Sequence, residues 1–156
     1  MNKELLKIFN NDQKDRRDPV VRANPALLSK NDRVRKKMVQ EYIDANKLIT
    51  AKDYYLAAMI FHHGPSIQDS VKAVKLSKTS YELGHKKSLL LCATCLDRLL
   101  MKKGKKQKFG TQYRKNNAKS KWKLLPVDSR TTDEERKKWG VAPLSKLIAN
   151  VNKLNK

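Results

Sequence analysis

The chain is short of several things, and each shortage excludes something. Nothing in its 156 residues approaches the run of about 20 apolar residues that a membrane-spanning helix needs, so no membrane insertion is expected. The segment from Met1 to Asn10 carries an acid and amides where a signal peptide needs an unbroken apolar core, which points to a soluble, intracellular protein. Cys92 and Cys95 are the only cysteines. About one helical turn apart, they are poorly placed to bridge each other, and a reducing compartment suits them. Acid is scarce too: 15 Asp and Glu face 36 Lys and Arg, a formal charge of +21. Such a surface recruits polyanions, with nucleic acid the commonest and acidic lipid headgroups or acidic protein tails responding to the same field.

What is present reads as helix. The length suits one domain with a real core. Ser29 before Asp32, Thr50 before Asp53, Ser66 before Asp69 and Thr132 before Glu135 each place a hydroxyl three residues ahead of a carboxylate, a pairing that satisfies the free amides of a first turn. The first start leads into Val34, Met38 and Tyr42 on one face. The second leads into Tyr54, Ala58 and Phe61 and stops at His63-Gly64-Pro65. The third runs through Val71, Val74 and Tyr81 to Gly84. Ser88 to Met101 is apolar on most of its circumference and reads as the central helix. A short N-terminal helix uses Leu5, Leu6 and Phe9, and Pro143 opens a terminal one through Leu144, Leu147, Ile148 and Val151. The expected fold is an all-α, compact single-domain helical bundle over 1–156, with two long functional loops: a charged, proline-marked one at 11–28 and a basic one at 102–123.

Two resemblances follow from particular residues. Tyr54, Ala57, Ala58, Gly64, Asp69, Ala73, Tyr81 and Gly84-His85 are similar to the helical hairpin of Sel1-like and tetratricopeptide proteins, over about one and a half units. That implies one hairpin inside a compact domain, since a solenoid needs more. Asp12-Gln13 with Arg16, Asp53-Tyr54-Tyr55 with Phe61 and His63-Gly64, Asp97-Arg98, Gln107 followed by Phe109-Gly110-Thr111-Gln112, Pro126-Val127-Asp128 and Glu134-Glu135-Arg136 resemble, nearly end to end, a bacterial domain family of unknown function. Its members read roughly Asp-Gln-x-x-Arg, Gln-His-Gly, Asp-Arg and Gln-x-Tyr-Gly-Thr-Gln. The resemblance implies a helical fold and a set of polar motifs, and it implies no reaction. This chain has His62 where relatives often have Gln, and Phe109 where they often have Tyr, which removes a phenol that could donate a proton.

The polar motifs admit competing uses. His63 either caps the last carbonyls of its helix or acts as a general acid or base, and the second use needs a carboxylate such as Asp97 to fix its tautomer. Arg98 beside Asp97 offers a fork for phosphate or carboxylate; Gln107, Thr111, Gln112 and Arg16 extend it into an anion-binding set. The competing reading makes Arg98 and Gln112 a clamp that ties the long loop down. Cys92 and Cys95 read as small apolar core residues. A zinc site joining them to His62 and His63 has a plausible ligand count but needs a coincidence of folding, so no metal and no cofactor is expected.

From Lys102 to Lys123 there is no acid at all. Lys102, Lys103, Lys105, Lys106, Lys108, Arg114, Lys115, Lys119, Lys121 and Lys123 would follow phosphates, while Phe109, Tyr113 and Trp122 could stack on unpaired bases. The leading expectation is a binding protein that holds RNA or DNA, or another polyanion, by phosphate contacts, helped by Arg16, Arg17, Arg33 and Arg35. One alternative is a hydrolase-like enzyme for a phosphate-bearing or nucleotide-like substrate, built on His63, Asp97, Arg98, Thr111 and Gln112. Another is a structural component of a nucleoprotein assembly. No helix-turn-helix, zinc-finger or RNA-recognition-strand signature is recognisable.

Overall fold

Capping decides where the helices of this chain begin. In the computed structural model, which describes residues 1–117 and 119–156, Asn2 caps α1 (Lys3–Arg17), Asp18 caps α2 (Pro19–Ala23) and Asn24 caps α3 (Pro25–Asp44). Thr50 and Ser66 close full capping boxes with Asp53 and Asp69 at the starts of α4 (Ala51–His62) and α5 (Ile67–Glu82). Next come α6 (Ser88–Lys102), the short strands β1 (Tyr113–Arg114) and β2 (Lys123–Leu124), α7 (Asp133–Lys138) capped by Thr132, and α8 (Leu144–Lys153) after Pro143. The fold is all-α, with one two-stranded antiparallel ribbon among the described residues. No helix among those residues is long and apolar enough to cross a membrane.

Three expectations are corrected. The charged loop at 11–28 is helical almost throughout, because Asp18-Pro19 and Asn24-Pro25 each set a cap followed by proline at the first helical position, where its missing N–H costs nothing. The Ser29 to Asp32 start falls inside α3, and Asp32 faces arginines instead of a helix end. The buried stripe of α3 is Arg35 and Val39, whereas Val34 and Met38 are exposed.

The contacts group into two compact units, Met1–Ser88 and Leu89–Lys156. In the first, α4 and α5 form a helical hairpin, and α1 and α3 pack on α4. Leu56, Ala57, Ala58, Ile60 and Phe61 line the buried side of α4, with Leu5 and Ile8 of α1, Val39 of α3 and Ala73 and Leu76 of α5 also in the core. In the second, Phe109, Ala93 and Val141 are buried together, with Leu96, Trp139 and Leu147 packed against them. Phe109 therefore serves packing and has no face left for a base: it is wholly buried, with its ring 5.1 Å from that of Trp139. Cys92 and Cys95 are buried within α6.

Candidate functional site

The second unit builds its basic segment around one carboxylate. Asp97, near the end of α6 and fully buried, accepts the N–H of Lys108 (2.7 Å) and Phe109 (2.8 Å) on Oδ1. Its Oδ2 accepts the N–H of Gly110 (3.0 Å) and Thr111 (2.9 Å) and the Thr111 hydroxyl (2.8 Å). Five donors fill the lone pairs of one carboxylate, so Asp97 organises the loop from inside. Gly110 permits the path at φ +94°, where a Cβ would also press against Leu147 and Val127.

Gln107 completes the clamp. It is fully buried; Nε2 donates to the carbonyls of Gln112 (2.9 Å) and Leu125 (2.7 Å), and Oε1 accepts the Gln112 N–H (2.8 Å). Arg98 Nε donates to Gln112 Oε1 at 3.2 Å, and the buried Arg136 donates to the carbonyls of Phe109 (2.8 Å) and Thr131 (3.0 Å). Asp97, Gln107, Thr111 and Gln112 thus converge, but Asp97 and Gln107 spend their polar atoms largely on the loop's own backbone, and the Thr111 and Gln112 side chains spend theirs on Asp97, Arg98, each other and the Thr94 carbonyl of α6. That favours the clamp over an anion-binding recess for these residues. Arg136 stood in the Glu134-Glu135-Arg136 part of the family resemblance with no role assigned to it. Its signal was an arginine four residues past a helix cap at Thr132, and spacing alone cannot tell such a residue from a surface charge.

In the first unit His63 has partners of its own. Its Nδ1 lies 2.9 Å from Arg16 Nε and 3.2 Å from Asp12 Oδ1. Arg16 also meets Asp12 at 3.0 Å and Asp32 at 2.8 Å, and the buried Arg35 pairs with Asp15 and Asp32, both at 2.6 Å. Burial works against the charge of Asp12, yet the His63 ring and the Arg16 guanidinium outweigh it and hold the carboxyl below the usual carboxylate range. Arg16 and Arg35 are consequently committed to internal carboxylates and are removed from the set of cations offered to a polyanion. The carboxylate beside His63 is Asp12, from α1 of the same unit. No group of three or more His, Cys, Asp or Glu placed to hold a metal occurs among the described residues.

The clamped segment displays its cations outward. Lys103, Lys105, Lys106, Arg114, Lys115, Lys119, Lys121 and Lys123 are exposed. Lys105, Lys106, Lys108 and Arg130 line a cavity of about 900 Å³ together with Asp128, Thr131 and Glu135. Within that wall, Lys108 pairs with Glu135 at 2.6 Å and Arg130 with Asp128 at 2.7 Å. Tyr113 is exposed and its ring meets that of Trp122 edge to face at 5.5 Å. Position 118, inside the expected 102–123 loop, lies outside the described residues.

The class defined by fold and site is an all-α protein that carries a carboxylate-clamped basic segment. No family model, curated protein or solved structure matches the chain.

Proposed function

We propose that the protein is a basic binding module that holds nucleic acid mainly through phosphate contacts along residues 102–123. One observation carries the reading. Apart from Lys108, no lysine or arginine between positions 103 and 123 forms an ion pair among the described residues, although the segment's backbone is tied down by Asp97 and Gln107. A solvated face mixes its signs and neutralises much of its own field; this one keeps its cations for a partner outside the chain. Because the clamp orders the backbone in advance, less ordering entropy is lost when a partner docks.

Phosphate contacts release condensed counterions, so the logarithm of the affinity for a nucleic acid of mixed sequence falls linearly with the logarithm of salt concentration, with about one unit of slope for each phosphate neutralised. A titration of binding at several salt concentrations measures that slope. A steep slope supports the module; affinity indifferent to salt removes it. Heparin binding as well as nucleic acid, with the same slope, would assign the segment to polyanions in general. The resemblances to the bacterial domain family and to Sel1-like hairpins add no reaction to this reading.

A further inference from the structure

The ribbon of β1 and β2 sorts its side chains by chemistry. Tyr113 lies opposite Leu124, and Arg114 opposite Lys123. Opposed residues of an antiparallel pair share a face, and neighbours along a strand alternate, so Tyr113 and Leu124 belong to one face and Arg114 and Lys123 to the other. Trp122 and Lys115, each two residues from a member of the first pair, fall on the Tyr113 side. The contacts agree: Trp122 meets Tyr113 edge to face, and Lys115 Nζ lies 5.3 Å over the Trp122 ring. Arg114, Lys121 and Lys123 also line a recess of about 500 Å³ beside the ribbon, to which Leu124 and Pro126 contribute apolar wall.

The arrangement is anchored. The Trp122 N–H donates to Asn155 Oδ1 at 2.6 Å and the Trp122 carbonyl accepts from Asn155 Nδ2 at 3.0 Å, while the Leu125 N–H donates to the Gln112 carbonyl at 3.1 Å. A ring 46% exposed on such a support loses apolar contact to water that a docked planar group would restore. Lysines kept only for solubility need no aromatic ring held beside them.

We propose that this ribbon is a grip for single-stranded nucleic acid, in which an unpaired base lies against Tyr113 and neighbouring phosphates sit at Arg114, Lys121 and Lys123. The proposal rests on the phosphate-binding reading above and narrows it to strands whose bases are free. A duplex keeps its bases stacked on one another and offers Tyr113 no ring, whereas a single strand stacks on aromatic side chains while cations follow its backbone.

The test measures equilibrium binding of the full chain, at fixed salt, to a labelled single strand of mixed sequence, to its duplex, and to an abasic strand of equal length. The single strand is expected to bind tightest, and Tyr113→Ala to weaken it about tenfold while leaving the abasic strand unchanged. Tyr113→Phe, which keeps the ring, is expected to bind like the parent. If single and abasic strands bind equally and Tyr113→Ala changes neither, or if the duplex binds tighter, the grip is wrong while salt-dependent binding still stands. If no strand binds at any salt concentration, both readings fail.

Discussion

Thr111 is held twice by Asp97, through its backbone N–H at 2.9 Å and its hydroxyl at 2.8 Å, both on the same carboxylate oxygen. That oxygen also takes the Gly110 N–H, so any group replacing it must accept from three directions. Asp97→Asn keeps the shape and removes the charge, and one end of its amide turns a donor toward N–H groups that can only donate. The expected cost is about 3 kcal/mol, since hydrogen bonds to a charged group are lost and buried donors are left unmade. Urea denaturation reads the loss, and limited proteolysis should find new cleavage within 102–123.

Gly64 is required for space. A Cβ there would lie 2.4 Å from Asp69 Cγ, and Asp69 cannot retreat freely because its carboxylate accepts from the Ser66 N–H at 3.0 Å and pairs with Lys36 at 2.8 Å. Gly64→Ala should therefore break the capping box of α5 and cost about 2 kcal/mol. In an Asp69→Gly background, which also removes the Asp69 Cβ that would lie 2.6 Å away, the same change should cost much less. A double-mutant cycle in chemical denaturation separates the two cases.

Legibility followed the range of the interaction. Thr50 with Asp53, and Ser66 with Asp69, act within four residues, so their sequence pattern announces them, and the all-α class follows from such starts and the apolar periodicity after them. Proline at positions 19 and 25 misleads for a physical reason: it breaks a helix in its interior and begins one at its first position, and the deciding cap is the residue before it. Asp97 was visible as part of a polar motif, but its partners lie 11 to 14 residues away and become partners only when the loop folds back on α6. Arg16 and Arg35 looked like surface cations because their local partners, Asp12 four residues before Arg16 and Asp32 three before Arg35, do not reveal that α1 and α3 face each other, so that Arg16 also meets Asp32 and Arg35 also meets Asp15.

The His63 cluster makes an acid-side prediction. Arg16 Nε can only donate to Nδ1 of the ring and Asp12 Oδ1 can only accept from it, so one nitrogen serves the arginine when bare and the aspartate when protonated. Asp12 is held below the usual carboxylate range, so its contribution to stability is complete above that range and is lost as the pH falls through its lowered folded value. Asp12→Asn should lower stability at neutral pH by about 3 kcal/mol, because two arginines lose a buried partner, and should flatten the acid limb of the stability curve. Denaturation midpoints measured from neutral pH downward for parent and variant test both statements.

His85 should remain neutral to lower pH than an ordinary histidine. Burial, then the nearby Lys52 and Lys87, push its imidazole down, and its Nδ1 lies 2.9 Å from the Ser88 hydroxyl in a chain that continues to Ser80 and the Ala51 carbonyl. Its NMR titration is expected to fall below the usual histidine range, and Lys52→Gln to move it upward.

Where the positive charge sits, and not merely how much there is, decides the central claim. Two variants of equal net charge separate these: one reverses Lys103, Lys105, Lys106 and Lys121 to Glu, the other Lys37, Lys75, Lys86 and Lys87, all of them exposed. Nucleic-acid affinity measured for both at one moderate salt concentration should collapse for the first and fall only slightly for the second. Equal losses in the two would contradict the account, because the partner would then be answering the overall charge of the chain and not the clamped segment.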